Sequence, residues 1–341
     1  MIRKTENINL KGYNSFGVDT SADLLVEWDS VESLVEWLRS EGKELLRGHW
    51  DILGGGCNTL FTGPYRGVLI HSISQGISIV SQSNDYVIIR AEAGHLWDDV
   101  VEWCCQQELW GIENLSAIPS SVGASAVQNI GAYGVEAKDC IESVEVVWLD
   151  TLTVGTIAGS ECAFGYRESI FKGELAGKVI ITAVNYRLSH TPAPKLGYGS
   201  LQEEVAKLGE MTPLAIRKAI TTIRNGKLPD PAIIGNAGSF FKNPILPREQ
   251  VEALKALYPT MPTYQVEGQP DKLKIATGWM IDSLGWKGRA LGRAGVHDKQ
   301  ALVLVNLGGA EGAEVVALAE RICQEVKEKF GVEISPEVNI L

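Results

Sequence analysis

Residues 50–53 read as a strand that runs without a linker into Gly54-Gly55-Gly56, and this junction restricts the folds open to the chain more than any other feature. Upstream, 22–28 (Ala-Asp-Leu-Leu-Val-Glu-Trp) reads as a strand. Ser30 then caps a helix whose apolar positions Val31, Leu34, Val35 and Leu38 follow the i, i+3, i+4, i+7 pattern up to Gly42. Strand, helix and second strand make a βαβ unit ending in three residues without Cβ. Consecutive exposed amides form a concavity suited to a pyrophosphate, because each N–H is a fixed donor. A tight turn explains the same glycines equally well. The dinucleotide fingerprint G-x-G-x-x-G is not met, since Thr59 stands in place of the third glycine, and 173–179 departs from the P-loop pattern.

Apolar or alternating runs at 77–80, 86–92, 143–149 and 178–188, with an amphipathic helix around 97–109, point to a second α/β unit. Between them lies 118–134, seventeen mainly small residues that make neither an amphipathic helix nor a strand, which points to a pocket-lining loop. Within it Gly123-Ala124-Ser125-Ala126 lacks the final glycine of a nucleophile elbow, against a serine hydrolase at that place. Two small-residue loops on two α/β units imply a cleft for an extended dinucleotide. Further on, Thr212-Pro213 opens a helix with Ile216, Ile220 and Ile223 on one face, stopping at Asn225-Gly226. Leu228-Pro229-Asp230-Pro231 reads as a boundary, and Val315, Leu318, Ala319, Ile322, Val326 and Phe330 mark a long amphipathic helix.

The 341 residues, 45% hydrophobic and 21% charged, are ordinary for a soluble protein of two or three domains. With 31 basic against 42 acidic residues the net charge is −11, which disfavours a general nucleic-acid surface and requires a local basic cluster for any anionic substrate. Arg217, Lys218, Arg224 and Lys227, with Lys242 close behind, offer one, or else form a solvated helix face. The six cysteines show no C-x-x-C spacing and the five histidines no H-E-x-x-H, so no metal is expected and the thiols read as free. No stretch approaches the roughly 18 apolar residues of a membrane span, and 1–7 carry charge with no apolar run behind it, so the expected location is cytoplasmic.

One side chain stands out as chemistry. Ser239, in Gly235-Asn236-Ala237-Gly238-Ser239-Phe240-Phe241-Lys242-Asn243-Pro244, places a hydroxyl between glycines that admit a ligand and a Phe pair that can exclude water, which makes it a candidate proton donor. A glycine-rich turn before two core phenylalanines reads the same way. Taken singly, Arg167, in 164–172, reads as an ordinary surface ion pair, and Glu337, after Ser335-Pro336, as a solvated carboxylate on a terminal strand. His297 reads as a satisfied loop or core residue.

In this order, Asn14-Ser15-Phe16-Gly17 and residues 53–61, 128–134, 165–172, 227–231, 235–244, 300–302 and 336–338 resemble the UDP-N-acetylenolpyruvoylglucosamine reductases, also called UDP-N-acetylmuramate dehydrogenases, over nearly the whole chain. Residues 196–201 resemble the loop of the family branch that closes a tyrosine over its substrate. The resemblance implies an α+β / α/β fold, a two-subdomain FAD-binding fold of the vanillyl-alcohol-oxidase (PCMH) type plus a C-terminal α+β substrate-binding domain. The implied divisions are 1–74 with 334–341 returning to it, 75–228, and 229–333. It further implies non-covalent FAD, NADPH as electron source, and reduction of UDP-N-acetylglucosamine-enolpyruvate to UDP-N-acetylmuramate for peptidoglycan precursor synthesis. The implied enzyme is a monomer that neither binds nucleic acid nor enters a membrane.

On the same resemblance, Gly54, Gly55, Gly56, Cys57, Asn58 and Thr59, with Gly123, Ala124, Ser125 and Ile130, hold the flavin. Cys57, Ser120 and Ala124 depart from the usual family residues, which touches side-chain contacts there rather than amide contacts. Tyr198, Lys227, Asn243, Lys287 and Gln300 are the implied substrate contacts, and Arg224 serves flavin or substrate. Arg167 becomes the cation on the substrate carboxylate, Glu337 a protonated acid beside it, and Ser239 the proton donor to carbon, eased by Lys242 or Lys227. Two other readings compete. An oxidase of the same flavin fold would tether its flavin, with Cys57 the candidate attachment. A non-catalytic binding module would leave Ser239, Arg167 and Glu337 without purpose.

Overall fold

Alternation between apolar and polar residues along 77–92 and 141–189 builds one five-stranded sheet, in the order Thr153–Ala158, Ile141–Trp148, Val179–Ser189, Tyr86–Glu92, Ile77–Gln82. Every pairing in it is antiparallel. The helix Trp97–Gln106 buries Trp97, Val100, Val101, Cys104 and Cys105 in the core that also takes Val87, Ile89, Ala91 and Tyr186 from the sheet. The second α/β unit expected from the sequence is thus a helix-covered antiparallel sheet. Hydrophobic spacing locates strands but carries no sign for their direction.

The computed structural model describes residues 1–341, which divide into two compact units. Unit 1 comprises Met1–Ile8, Ala22–Gly56 and Arg66–Gly226; unit 2 comprises Asn9–Ser21, Cys57–Tyr65 and Lys227–Leu341. Unit 1 also carries most of a four-stranded sheet ordered Ile2–Asn9, Ser21–Trp28, Tyr65–Ser72, Trp50–Leu53. The Ser30 hydroxyl caps the helix Val31–Trp37 as expected, accepting from Ser33 N–H. That helix gives way at Leu38 to a wider turn. The strand Trp50–Leu53 does not sit beside Ser21–Trp28 but pairs in parallel with Tyr65–Ser72, which lies between them. The helix Pro213–Lys227 packs Ile216, Ile220 and Ile223 against Trp110, Leu201 and Val205.

In unit 2, the strands Gly235–Ser239, Val303–Asn306, Ala294–Val296 and Ala290–Leu291 form an antiparallel sheet in that order. The helix Gly312–Phe330 buries all six apolar positions read from the sequence. The chain end returns through Asn339–Ile340, which pairs in parallel with Thr59–Leu60.

A buried asparagine organises the start of unit 2. Asn14 donates Nδ2 to Leu10 O at 2.7 Å and Val18 O at 3.1 Å, and its Oδ1 accepts from Val18 N–H at 3.0 Å. This closes a loop whose next residues brace the sheet: Ser15 Oγ donates to Asn236 O at 2.6 Å, and Asn306 Nδ2 to Phe16 O at 2.9 Å. Asn14→Ala leaves the Val18 N–H and carbonyl without this partner, each worth about 1–3 kcal/mol. Its expected effect is a lower urea midpoint for unit 2, while the fluorescence transition of the tryptophans of unit 1 stays in place.

Candidate active site

Ser239 closes the strand Gly235–Ser239, and the pairing with Val303–Asn306 slips there, Asn236 facing Val305 but Ser239 facing Val303. The one extra residue on this strand makes a bulge. Gly238 takes φ +67, a left-handed conformation that glycine adopts without steric cost, and donates N–H to Asn236 Oδ1 at 2.9 Å. Asn236, buried, also donates Nδ2 to Ile234 O at 2.9 Å and Pro229 O at 3.3 Å, tying the segment after Lys227 to the same strand. Bulges re-aim side chains, and this one re-aims the Ser239 hydroxyl.

Immediately after it, Phe240 and Phe241 are 0% and 1% exposed and meet edge to face at 5.1 Å, with Phe16 against Phe240 at 6.2 Å. They anchor Ser239 to the core rather than wall a ligand. Their backbone reaches both ways. Phe240 N–H donates to Leu302 O at 2.8 Å, and Phe240 O accepts from Glu337 N–H at 2.7 Å. Lys242 N–H donates to Ser335 O at 3.0 Å. Glu337 therefore lies on the backbone directly alongside the Ser239 segment. Asn58 joins them, donating Nδ2 to Glu337 O at 3.2 Å and accepting from Asn339 N–H at 3.0 Å.

Other expected residues of unit 2 connect to this set to different degrees. Gln300 Oε1 accepts from Leu302 N–H at 3.3 Å, on the residue whose carbonyl holds Phe240. Asn243 Oδ1 accepts from Thr277 N–H at 2.9 Å, and the buried Thr277 hydroxyl returns to Lys242 O at 2.7 Å. Lys287 is exposed and pairs with Asp282 at 3.0 Å, and Lys227 is exposed at the end of its helix. The Cys57 thiol is pushed up by burial, so it stays protonated and a poor nucleophile. Thr59 is buried in its short strand.

In unit 1 the two small-residue loops meet. A Cβ on Gly54 would lie 3.1 Å from Ser121 Oγ and 3.5 Å from the Ala124 methyl, so backbone approaches the start of the helix Val122–Gln128 as closely as a glycine allows. Gly55 is exposed and Gly56 buried. Ser121 caps the helix, its Oγ accepting from Ala124 N–H at 3.4 Å. Gly123 N–H donates to Ala93 O, Ser125 N–H to Ser121 O and Ile130 N–H to Ser125 O. The Ser125 hydroxyl is committed to Val122 O at 2.6 Å and Tyr186 OH at 2.7 Å. These amides serve the fold, so what Gly123 and Ala124 offer a ligand is absence of bulk. Flat, backbone-walled surface at the glycine loop and the helix start fits a planar, extended cofactor such as a flavin dinucleotide.

Residues 129–134 gather two further expected groups. Arg167, itself at φ +59, donates Nη2 to Gly131 O at 2.8 Å and Nη1 to Asn129 O at 3.3 Å. Tyr198, 49% exposed, meets Tyr133 edge to face at 5.7 Å. Arg224 donates Nε to Ala117 O at 3.1 Å, and burial lowers its guanidinium from the usual value, opposed by Tyr133 and Asp98. Burial pushes the Tyr133 hydroxyl up.

The sequence reading missed the polar residues beneath these loops. Asn114, 0% exposed, donates Nδ2 to Tyr133 O at 2.8 Å and Lys195 O at 2.7 Å, holding the tyrosine-bearing segment. Its neighbour Glu113 is 3% exposed and accepts from Gly111 N–H at 2.6 Å. The available signal was the Glu-Asn pair inside an otherwise apolar 109–118. Burial pushes the Glu113 carboxyl up, with the Gly111 amide and Lys195 opposing. A raised carboxyl favours folding below its unfolded value near 4.3 and loses that contribution as pH rises through the folded value. Wild-type stability relative to Glu113→Gln should therefore decline from pH 4 towards neutrality, read from paired urea titrations; a flat difference would contradict the assignment.

Comparison with known proteins agrees with this layout. Residues 22–154 match the FAD binding domain family, and residues 230–341 match the C-terminal domain of UDP-N-acetylenolpyruvoylglucosamine reductase. The UDP-N-acetylenolpyruvoylglucosamine reductase of Bacteroides fragilis (strain YCH46) is 47% identical over 336 residues, 98% of this chain and 99% of that protein. That of Pseudomonas aeruginosa is 44% identical over 342 residues, 98% of each. The crystal structure of the Thermus caldophilus enzyme shares the fold, with a TM-score of 0.65 at 23% identity, covering 100% of this chain and 98% of that one. The expected pairing of a flavin-binding fold with a C-terminal α+β domain stands, and the chain belongs to the UDP-N-acetylenolpyruvoylglucosamine reductase family.

Proposed function

We propose that the protein reduces the enolpyruvyl group of UDP-N-acetylglucosamine-enolpyruvate to a D-lactyl ether, giving UDP-N-acetylmuramate for peptidoglycan precursor synthesis, with FAD as cofactor and NADPH as reductant. The observation that carries the reading is the bulged strand that presents Ser239 beside the backbone of Glu337, in a chain of this family. FAD, when bound, supplies the hydride it has accepted from NADPH to the terminal CH2 carbon of the enol ether. What remains is to handle charge and one proton, and that falls to the protein.

The double bond's electrons move toward the carbon bearing the ether oxygen and into the adjacent carboxylate, whose oxygens gather negative charge. Donors preorganised for developing charge supply the largest share of most rate enhancements. Arg167, its plane set by two backbone carbonyls, holds that carboxylate. Glu337 donates to it in its acid form. Ser239 then delivers its hydroxyl proton to the ether-bearing carbon, and Lys242 or Lys227 offsets the alkoxide left behind. Tyr198, Asn243, Lys287 and Gln300, with Lys227, bind the nucleotide-sugar.

For the cofactor, Gly54, Gly55, Gly56, Cys57, Asn58 and Thr59, with Gly123, Ala124, Ser125 and Ile130, would surround the flavin dinucleotide. The proposed divisions are 1–74 with 334–341 and 75–228 for flavin, and 229–333 for substrate. The raised Cys57 thiol speaks for a non-covalent flavin and against a tethered oxidase. We further propose a monomer acting in the cytoplasm; no helix is long and apolar enough to cross a membrane.

Stopped-flow separation of the half-reactions tests the chemistry. Ser239→Ala should leave NADPH-driven bleaching of the flavin at its normal rate, while reoxidation by the enolpyruvyl substrate slows about 10²–10⁴-fold. Equal slowing of both halves would assign Ser239 a structural role. The cofactor cradle has its own test: Gly54→Val crowds Ser121 by about 1–3 kcal/mol, so the protein should purify folded by circular dichroism and bind FAD at least about tenfold more weakly. Undiminished flavin absorbance would remove the glycine loop from the site.

A further inference from the structure

The residue that aims Arg167 is Asn129, whose side chain and carbonyl join three separate segments of unit 1. Asn129 ends the helix Val122–Gln128 in the left-handed conformation, φ 42, and is 0% exposed. Its Nδ2 donates to Gly165 O at 2.8 Å and to Glu136 Oε2 at 3.0 Å, while its Oδ1 accepts from Lys138 N–H at 3.0 Å. Its carbonyl accepts from Arg167 Nη1. Both ends of one amide are thus used, one across to the arginine loop and one along the chain to 136–138.

The arginine loop needs such a tie. Gly165 and Glu168 close a tight turn by mutual backbone hydrogen bonds of 2.9 and 3.2 Å, and Arg167 inside it is held at φ +59, a conformation that costs a non-glycine residue energy. Strained loops persist only where their surroundings over-determine them. Asn129 grips the carbonyl at one end of the turn and receives the guanidinium two residues on. Lys172 Nζ, donating to Arg167 O at 3.1 Å and Gln128 Oε1 at 3.2 Å, closes the frame from the other side.

We infer that Asn129 is a positioning residue for the reaction: through the hydrogen bond from its Nδ2 to Gly165 O and through its carbonyl it fixes the Arg167 guanidinium on the substrate carboxylate without touching substrate itself. The inference rests on the reading of Arg167 given above.

Asn129→Gly is the diagnostic substitution. Glycine keeps the left-handed helix end at no strain and removes only the side-chain bonds. Asn129→Asp keeps the acceptor for Lys138 N–H and loses the donor to Gly165 O, so it should behave alike while checking that the first variant's effect is not loss of bulk. Both should slow reoxidation by the enolpyruvyl substrate about 10- to 100-fold relative to flavin reduction by NADPH, the size expected for misplacing a reacting group by about an ångström. Native-state tryptic cleavage after Arg167 should become faster, a readout independent of turnover. In an Arg167→Ala background Asn129→Gly should change reoxidation by less than about twofold, since the two act as one unit.

Arg167→Ala fully active in reoxidation would sink the reading of Arg167 and this inference with it. Arg167→Ala impaired but Asn129→Gly normal would sink the inference alone. So would effects that multiply in the double variant, or a slower half-reaction with unchanged cleavage at Arg167.

Discussion

The backbone hydrogen bond from Glu337 N–H to Phe240 O, beside the one from Lys242 N–H to Ser335 O, lays segments almost a hundred positions apart side by side and makes unit 2 a candidate site rather than a sheet with a tail. It forms because Phe240 and Phe241 are pinned in the core on their side chains, leaving their backbone to bond on both flanks. The bulge at Gly238 places Ser239 just ahead of that pinned pair, so the hydroxyl inherits the rigidity of the core without being buried in it. The parallel pairing of Asn339–Ile340 with Thr59–Leu60 holds the returning segment in line, and Asn58, just ahead of Thr59–Leu60, bonds the Glu337 carbonyl. Catalytic groups set to within about half an ångström require supporting bonds of this kind.

The loops in both units are held by buried asparagines rather than by regular structure. Asn14, Asn114, Asn129, Asn236 and Asn306 each place a side-chain amide on backbone carbonyls that no strand or helix would satisfy. A side-chain amide donates and accepts at once, so it can stand in for a missing length of ladder. This explains how 118–134 is both irregular and ordered: Asn129 completes the end of the helix Val122–Gln128, and Asn114 holds Tyr133.

Elements with strong periodicity were legible from the sequence. The helix Gly312–Phe330 and four strands of the five-stranded sheet fall where apolar spacing put them, the edge strand Thr153–Ala158 being unread, and Ser30 caps where a cap was read. Strand direction and order were not legible, since period-two alternation is the same for a parallel and an antiparallel neighbour; hence the insertion of Tyr65–Ser72 between Ser21–Trp28 and Trp50–Leu53. Glycines in 54–56 were legible as exposed amides or a tight turn, not as the close approach that Gly54 makes to Ser121 and Ala124 far along the chain. The amides of 123–130 looked open for a ligand because they belong to no amphipathic helix. A short helix of small residues forms there nonetheless, and its start bonds to Ala93 and to the Ser121 cap. Asn129 was invisible as a hub because its partners Gly165 and Lys138 meet it only after folding.

A net charge of −11 makes binding a nucleotide-sugar with a further carboxylate an electrostatic problem for this chain. The structure handles its cations in two ways. Arg90, Arg187 and Arg293 are held by carboxylates: Glu145 with Glu92, Glu142, and Glu311 with Glu314. Such pairs fix the side chain but cancel its field a few ångströms away. Arg224 is oriented instead by the Ala117 carbonyl. A carbonyl dipole aims a guanidinium while leaving its unit charge in place. Around Arg224 burial then works in favour of an anion, because a partly desolvated cation has more to gain from a negative partner than one already surrounded by water. A protein that is acidic overall can therefore hold an anionic substrate with few cations, provided those few are positioned by neutral acceptors.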